Sequence, residues 1–264
     1  MSAPTHATDF DPLSAPSTVD LCASQLRARI LEGGIPVGAR MPPERQLAAQ
    51  FGVNRVTVRS ALARLMSEGL LSVRQGRGYE VQDFERDSGP TLLPSVLSVA
   101  RERSRAELAA WVADMLAARR HLARAVLLEL VDRQPDTRHV VVALDAFAQA
   151  VEEGTTDART LATLDMNIVR ALLDAAGNRV LRLAFNPVLD ALAALPELEA
   201  QLYAAPSSNV SGYALLRAWL AAPNAHAIEP LLAALAQRDK VNVTRLLALP
   251  AAPLAPSLAS ENKP

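Results

Sequence analysis

The chain is poor in the residues on which much protein chemistry relies. Cys22 is its single cysteine, so no internal disulfide can form, and a reducing, cytoplasmic setting is expected. Four histidines in 264 residues leave little material for imidazole catalysis or a histidine-rich metal site. Aromatic residues make up 4% of the chain. Alanine is expected to fill the space between closely packed elements instead. No apolar run approaches the ~18 residues of a membrane span, and residues 125–131 carry Glu129. The N-terminus lacks a basic start followed by an apolar stretch, so no leader peptide is expected. Neither a Gly-rich phosphate loop nor a spaced Ser, His and Asp set is present. The expectation is therefore a protein that is not an enzyme, needs no cofactor and does not enter a membrane.

What is present is an uneven distribution of charge. The net charge is −1, yet between Arg40 and Tyr79 seven arginines face two glutamates, Glu44 and Glu68, leaving a local charge of +5. Such a local excess attracts phosphate even when the whole chain is nearly neutral.

The punctuation of the chain predicts two domains, in keeping with its length. Residues 1–17 are rich in Pro, Ser, Ala and Thr and read as a disordered arm. A first helix is predicted from Thr18 to Glu32, with Leu21, Leu26 and Ile30 inward. A second starts at Pro43, and Gly52 turns the chain. Asn54 is a natural N-cap for a third helix that runs to Ser67, with Val58, Leu62 and Leu65 buried. Residues 71–74 and 79–81 alternate as strands around a Gln75-Gly76-Arg77-Gly78 turn. Helix, helix, turn and hairpin in this order are the layout of a winged helix-turn-helix, which places one helix in the DNA major groove. Residues 83–91 read as a linker, residues 92–249 as an all-α bundle, and the Pro-rich 250–264 as a disordered tail. Helices are expected at 91–103, 105–132, 137–152, 157–176, 178–196, 207–221 and 225–248.

The DNA-reading candidates follow from these positions. Arg45 lies near the start of the second helix, within reach of a phosphate or groove edge. Asn54, Arg55 and Thr57 occupy the first turn of the third helix, the end that enters the groove. An arginine there can pair with guanine in bidentate fashion, and Arg59 follows one turn later on the same face. In the wing, Gly76 lets the backbone come close while Arg74, Gln75 and Arg77 probe the minor groove. Arg64 is expected to serve packing or an ion pair instead.

The run PPERQLAAQFGVNRVTVRSALARLMSEGLLSVRQGRGYEV, residues 42–81, resembles the GntR family of bacterial regulators. The likeness covers about residues 20–82 and rests on many spaced positions at once. It implies a winged DNA-binding domain, a palindromic operator read by a homodimer, and a separate domain that responds to a small ligand. Val56, apolar where the family is often polar, would touch a thymine methyl.

The helical remainder resembles the FadR branch of that family. The common metal-dependent type in this branch carries an Asp and, four residues later, a His. Here LDMNIVRALLDAAGN, residues 164–178, has Asp165 in the first place and Val169 in the second. One carboxylate without an imidazole would hold a cation weakly, so no metal is expected and Asp165 reads as a cap or ion-pair partner unless it lines a ligand site. The same helix, and the entry DSGPTLLPSVL at 87–97, look like the acyl-CoA-responsive type of the branch. That resemblance implies a greasy pocket bounded by Val169, with Arg119, Asp165, Tyr213 and Arg217 as effector contacts. Arg119 would meet a carboxylate, thioester or phosphate; its plainer alternative is a buried ion pair. Trp111 and Trp219 read as core anchors. A response to a small organic acid without metal, or a constitutive repressor without ligand, are the alternatives.

Overall fold

The computed structural model describes residues 17–249. The arm and the tail read from sequence lie outside them, except Ser17. The chain divides into two compact units between Leu92 and Leu93.

In the first unit, α1 (Thr18–Leu31), α2 (Glu44–Phe51) and α3 (Arg55–Ser67) precede a hairpin of β1 (Leu71–Arg74) and β2 (Gly78–Val81). Ser17 is not part of a loose arm. Its hydroxyl accepts from the Asp20 amide, and the Asp20 carboxylate accepts from the Ser17 amide, closing a capping box. The buried stripe of α1 is Cys22, Ala23, Leu26 and Ile30, whereas Leu21 is 51% exposed. The sequence reading took the larger residue as inward, but the small thiol of Cys22 fits the close contact with Ala61 of α3. Gly52 ends α2 in the left-handed region at φ 65°, and Asn54 caps α3 through the Thr57 amide at 2.8 Å. Val58, Ala61, Leu62 and Leu65 of α3 are completely buried.

The hairpin pairs Leu71 with Val81 and Arg74 with Gly78. Its other edge is covered by a segment that the sequence did not betray. Val81 donates to the Ala39 carbonyl and Met41 to the Tyr79 carbonyl, both at 2.9 Å, so residues 38–41 act as a third strand. Residues 83–91 also differ from a plain linker. They form α4 (Phe84–Asp87) and a 3-10 turn at Pro90–Leu92. Gly69, at φ 79°, lies so close to α4 that a Cβ there would stand 2.4 Å from the Asp87 carbonyl oxygen.

The second unit is a helical bundle: α5 (Leu93–Arg103), α6 (Arg105–Arg133), α7 (Arg138–Glu152), α8 (Ala158–Ala176), α9 (Arg179–Ala193), α10 (Pro196–Leu202), α11 (Pro206–Ala221) and α12 (Ile228–Ala248). Ser104, Asp157 and Asn178 cap α6, α8 and α9 with their side chains. The single helix expected over 178–196 ends early, because Pro196 opens α10 at a position where its missing N–H costs nothing. His139 to Val142 lie within α7 despite their β-branched character. One core gathers Leu130, Leu144, Phe147, Ile168 and Trp219; another gathers Leu97, Val112, Leu116, Leu198 and Leu246, with Trp111 against it. Among the described residues no helix is long and apolar enough to cross a membrane.

Candidate DNA-reading face and bundle cavity

The first turn of α3 projects from the first unit. Arg55 is exposed and Val56 is 69% exposed, while Thr57 is half-buried. Asn54 and Thr57 hold each other: Asn54 Oδ1 accepts from both the amide and the hydroxyl of Thr57. That spends the Thr57 proton and fixes the turn on which Arg55 stands. Arg59 does not project freely. Its Nε and Nη2 donate to the two carboxylate oxygens of Glu44, at 3.1 and 2.7 Å, with the side chain still 65% exposed. Hydrogen bonding from Arg59 holds the Glu44 carboxyl below the usual carboxylate range, and the nearby charge of Arg55 adds to this. Arg45, the next residue along α2, is exposed.

In the wing, Gln75, Gly76 and Arg77 are exposed, and Gly76 takes φ 72° with open space around it. Arg74 reaches across the hairpin to Glu80 at 3.4 Å. Arg64 pairs with Asp20 of α1 instead of facing outward for DNA, as its position in the sequence led us to expect. The Ser17 hydroxyl first, and Arg64 with it, lower the Asp20 pKa to about 2.

The second unit encloses a cavity of about 710 Å³, larger than the scarcity of aromatics suggested. Its walls come from α6 and α8 to α12, and Val169, Met166, Leu216 and Leu235 supply apolar surface. Among the described residues Asp165 is neither a cap nor an ion-pair partner. It sits mid-helix on the cavity wall and accepts hydrogen bonds from Tyr213 and, at 2.6 Å, from Tyr203. Burial, and then the Asp165 charge, push both tyrosine hydroxyls far above their ordinary range. The Tyr213 ring packs edge-on against Phe147 at 4.9 Å, with the Arg238 guanidinium over it. Arg119 lines the cavity and is also an ion-pair partner. It donates to Asp239 at 2.7 Å, as Arg120 does at 2.6 Å, and Asp239 is 2% exposed.

Arg217 is a correction. It shares α11 with Tyr213 but pairs with Asp145 of α7 at the surface, away from the cavity lining. Their four-residue spacing allowed a shared face, but the cavity lies to the Tyr213 side of it. Tyr203 and Asn242 line the cavity, and Asp239 is buried behind it; none of the three is among the site residues expected from sequence. A signal for two of them existed. Asp239 and Asn242 continue the inward stripe of α12 between Leu235 and Leu246, where apolar residues belong. Among the described residues no group of three or more His, Cys, Asp or Glu could hold a metal ion.

Residues 20–81 match the family described as bacterial regulatory proteins, gntR family. A fatty acid metabolism regulator protein of Edwardsiella ictaluri is 30% identical over 174 residues, spanning 66% of this chain and 69% of the relative. An uncharacterized HTH-type transcriptional regulator of Mycobacterium tuberculosis is 31% identical over 189 residues, spanning 67% of this chain and 69% of its own. The solved structure of Lar, which controls the expression of the Listeria monocytogenes agr system, is similar in fold, with a TM-score of 0.51 and 14% identity over 88% of this chain and 98% of that one. The winged module and its helical companion define a DNA-binding transcriptional regulator and not an enzyme. The chain belongs to the gntR family, among relatives that include fatty acid metabolism regulators.

Proposed function

We propose that the protein binds a palindromic operator as a homodimer, and that a fatty acyl-CoA or related lipid in the bundle cavity controls its affinity. Residues 18–82 form the DNA-binding domain in this reading, and residues 92–249 the effector and dimerisation domain. Arg55, Arg59 and Arg45 read the major groove, supported by Asn54 and Thr57. Arg74, Gln75, Gly76 and Arg77 enter the minor groove. One winged module covers half an operator, so two copies about a two-fold axis suit a palindrome.

The observation that carries the ligand reading is the cavity. Its ~710 Å³ lies in the range of small-molecule sites, and it combines a mainly apolar surface, Val169 included, with charged and polar groups such as Arg119 and Asp165. Relatives that carry the name fatty acid metabolism regulator support it. Arg119, Asp165 and Tyr213 contact the effector in this proposal, and Arg217 does not. A ligand shifts DNA affinity only through different affinities for the two states of the protein. Titrating a protein–operator complex with palmitoyl-CoA tests the reading: a shift in operator affinity supports it, and a shift with free short-chain acids or divalent metals instead would overturn it.

A further inference from the structure

Two residues on the cavity wall each carry a buried donor that no group among the described residues answers. Asn242 is 2% exposed and lines the cavity, and its Nδ2 has no hydrogen-bond partner. Arg119 donates to Asp239 through Nη2, yet its buried Nε has no partner either. Asp239 and Asn242 stand three residues apart on α12, so they share one face of that helix. The carboxylate that anchors Arg119 therefore lies on the same face of α12 as Asn242, and both Arg119 and Asn242 line the cavity.

A buried N–H without an acceptor is costly, and a native structure that keeps one calls for an explanation. Two such groups on the wall of one cavity have a common explanation in an acceptor brought by a ligand. The hydroxyl protons of Tyr203 and Tyr213, by contrast, are already committed to Asp165.

We propose that Arg119 Nε and Asn242 Nδ2 together hold the acyl oxygen of an aliphatic ligand, either a free carboxylate or a thioester carbonyl. This assignment rests on the reading of the cavity as the effector site, and it names the end of the cavity that takes the polar head.

The test is calorimetric titration of the full-length protein, wild type, Asn242→Leu and Asn242→Asp, with palmitate and with palmitoyl-CoA. Asn242→Leu should weaken whichever probe the wild type binds by ~10-fold or more, and Asn242→Asp at least as much. The ligand-free Asn242→Leu protein should melt at or above the wild-type temperature, because an unanswered amide has been replaced by an apolar group. Wild-type binding of palmitate points to a carboxylate and of palmitoyl-CoA alone to a thioester; either, once weakened by the substitutions, supports the assignment. Wild-type binding that both variants retain, with a lowered melting temperature, would overturn it and leave the effector reading standing. A wild type that binds neither probe would overturn the effector reading as well. If the leucine variant does not fold, the aspartate variant carries the test.

Discussion

Glu44 grips Arg59 by both carboxylate oxygens, across the gap between the first residue of α2 and the middle of α3. The pair has two consequences for a helix that reads DNA. It fixes the direction of a long side chain that would otherwise lose rotamer freedom on binding. It also offsets a positive charge, so that Arg59 adds less to general phosphate attraction than to geometry.

Arg59→Ala should weaken operator binding by ~10–100-fold, the range for one lost bidentate base contact. Glu44→Gln should act differently. Non-specific DNA affinity should rise, and the slope of log affinity against log salt should steepen by about 1. Discrimination between operator and random duplex should fall. Fluorescence anisotropy at several salt concentrations measures all three quantities.

The capping box at Ser17 makes the winged module sensitive to acid. The Asp20 pKa is about 2 in the folded protein, below the ordinary 3.8. A depressed carboxylate pKa stabilises the fold above its unfolded value, and that stability is lost as pH falls through the folded one. Asp20→Asn should therefore lower the melting temperature at pH 7, and the gap to wild type should narrow as pH drops from about 4 towards 2. Thermal melts across that range decide it; a gap independent of pH would contradict the assignment.

Gly69 is required twice, by its φ of 79° and by the approach of the Asp87 carbonyl. Gly69→Ala should destabilise by at least ~2 kcal/mol, since neither strain nor clash can relax without moving α4. A melting temperature within a degree of wild type would mean that α4 is held loosely.

Tyr213→Phe keeps the edge contact with Phe147 but leaves Asp165 with one donor fewer. A loss of ~1–2 kcal/mol is expected in chemical denaturation. Arg217→Ala should leave ligand response unchanged, because its partner is Asp145 at the surface. A lost response in that variant would return Arg217 to the cavity.

The legible parts of the chain were those with local causes. Asn54 announced the start of α3, Gly52 and Gly69 its neighbouring turns, and the leucine stripe its buried face. The unreadable parts depend on contacts between distant segments. Residues 38–41 carry no strand pattern of their own; their extended course depends on hydrogen bonds with Tyr79 and Val81 of β2. The Glu44–Arg59 pair spans 15 residues, and the link from Arg119 to Asp239 spans 120. Leu21 misled for a different reason. Helical spacing gives a face to within a residue, and side-chain size then chooses between neighbours. At α1 the choice went to the smaller Cys22. In the cavity, periodicity marked where apolar residues should be, and the polar interruptions on α12 were its unused information.

In the proposed function a ligand in the bundle governs how tightly the winged module holds DNA. Operator affinity by anisotropy tests this, using a palindromic duplex selected from random sequence, with and without saturating palmitoyl-CoA. The expected change is ~5–150-fold, a coupling of about 1–3 kcal/mol. An operator affinity that stays the same while palmitoyl-CoA is bound would contradict it.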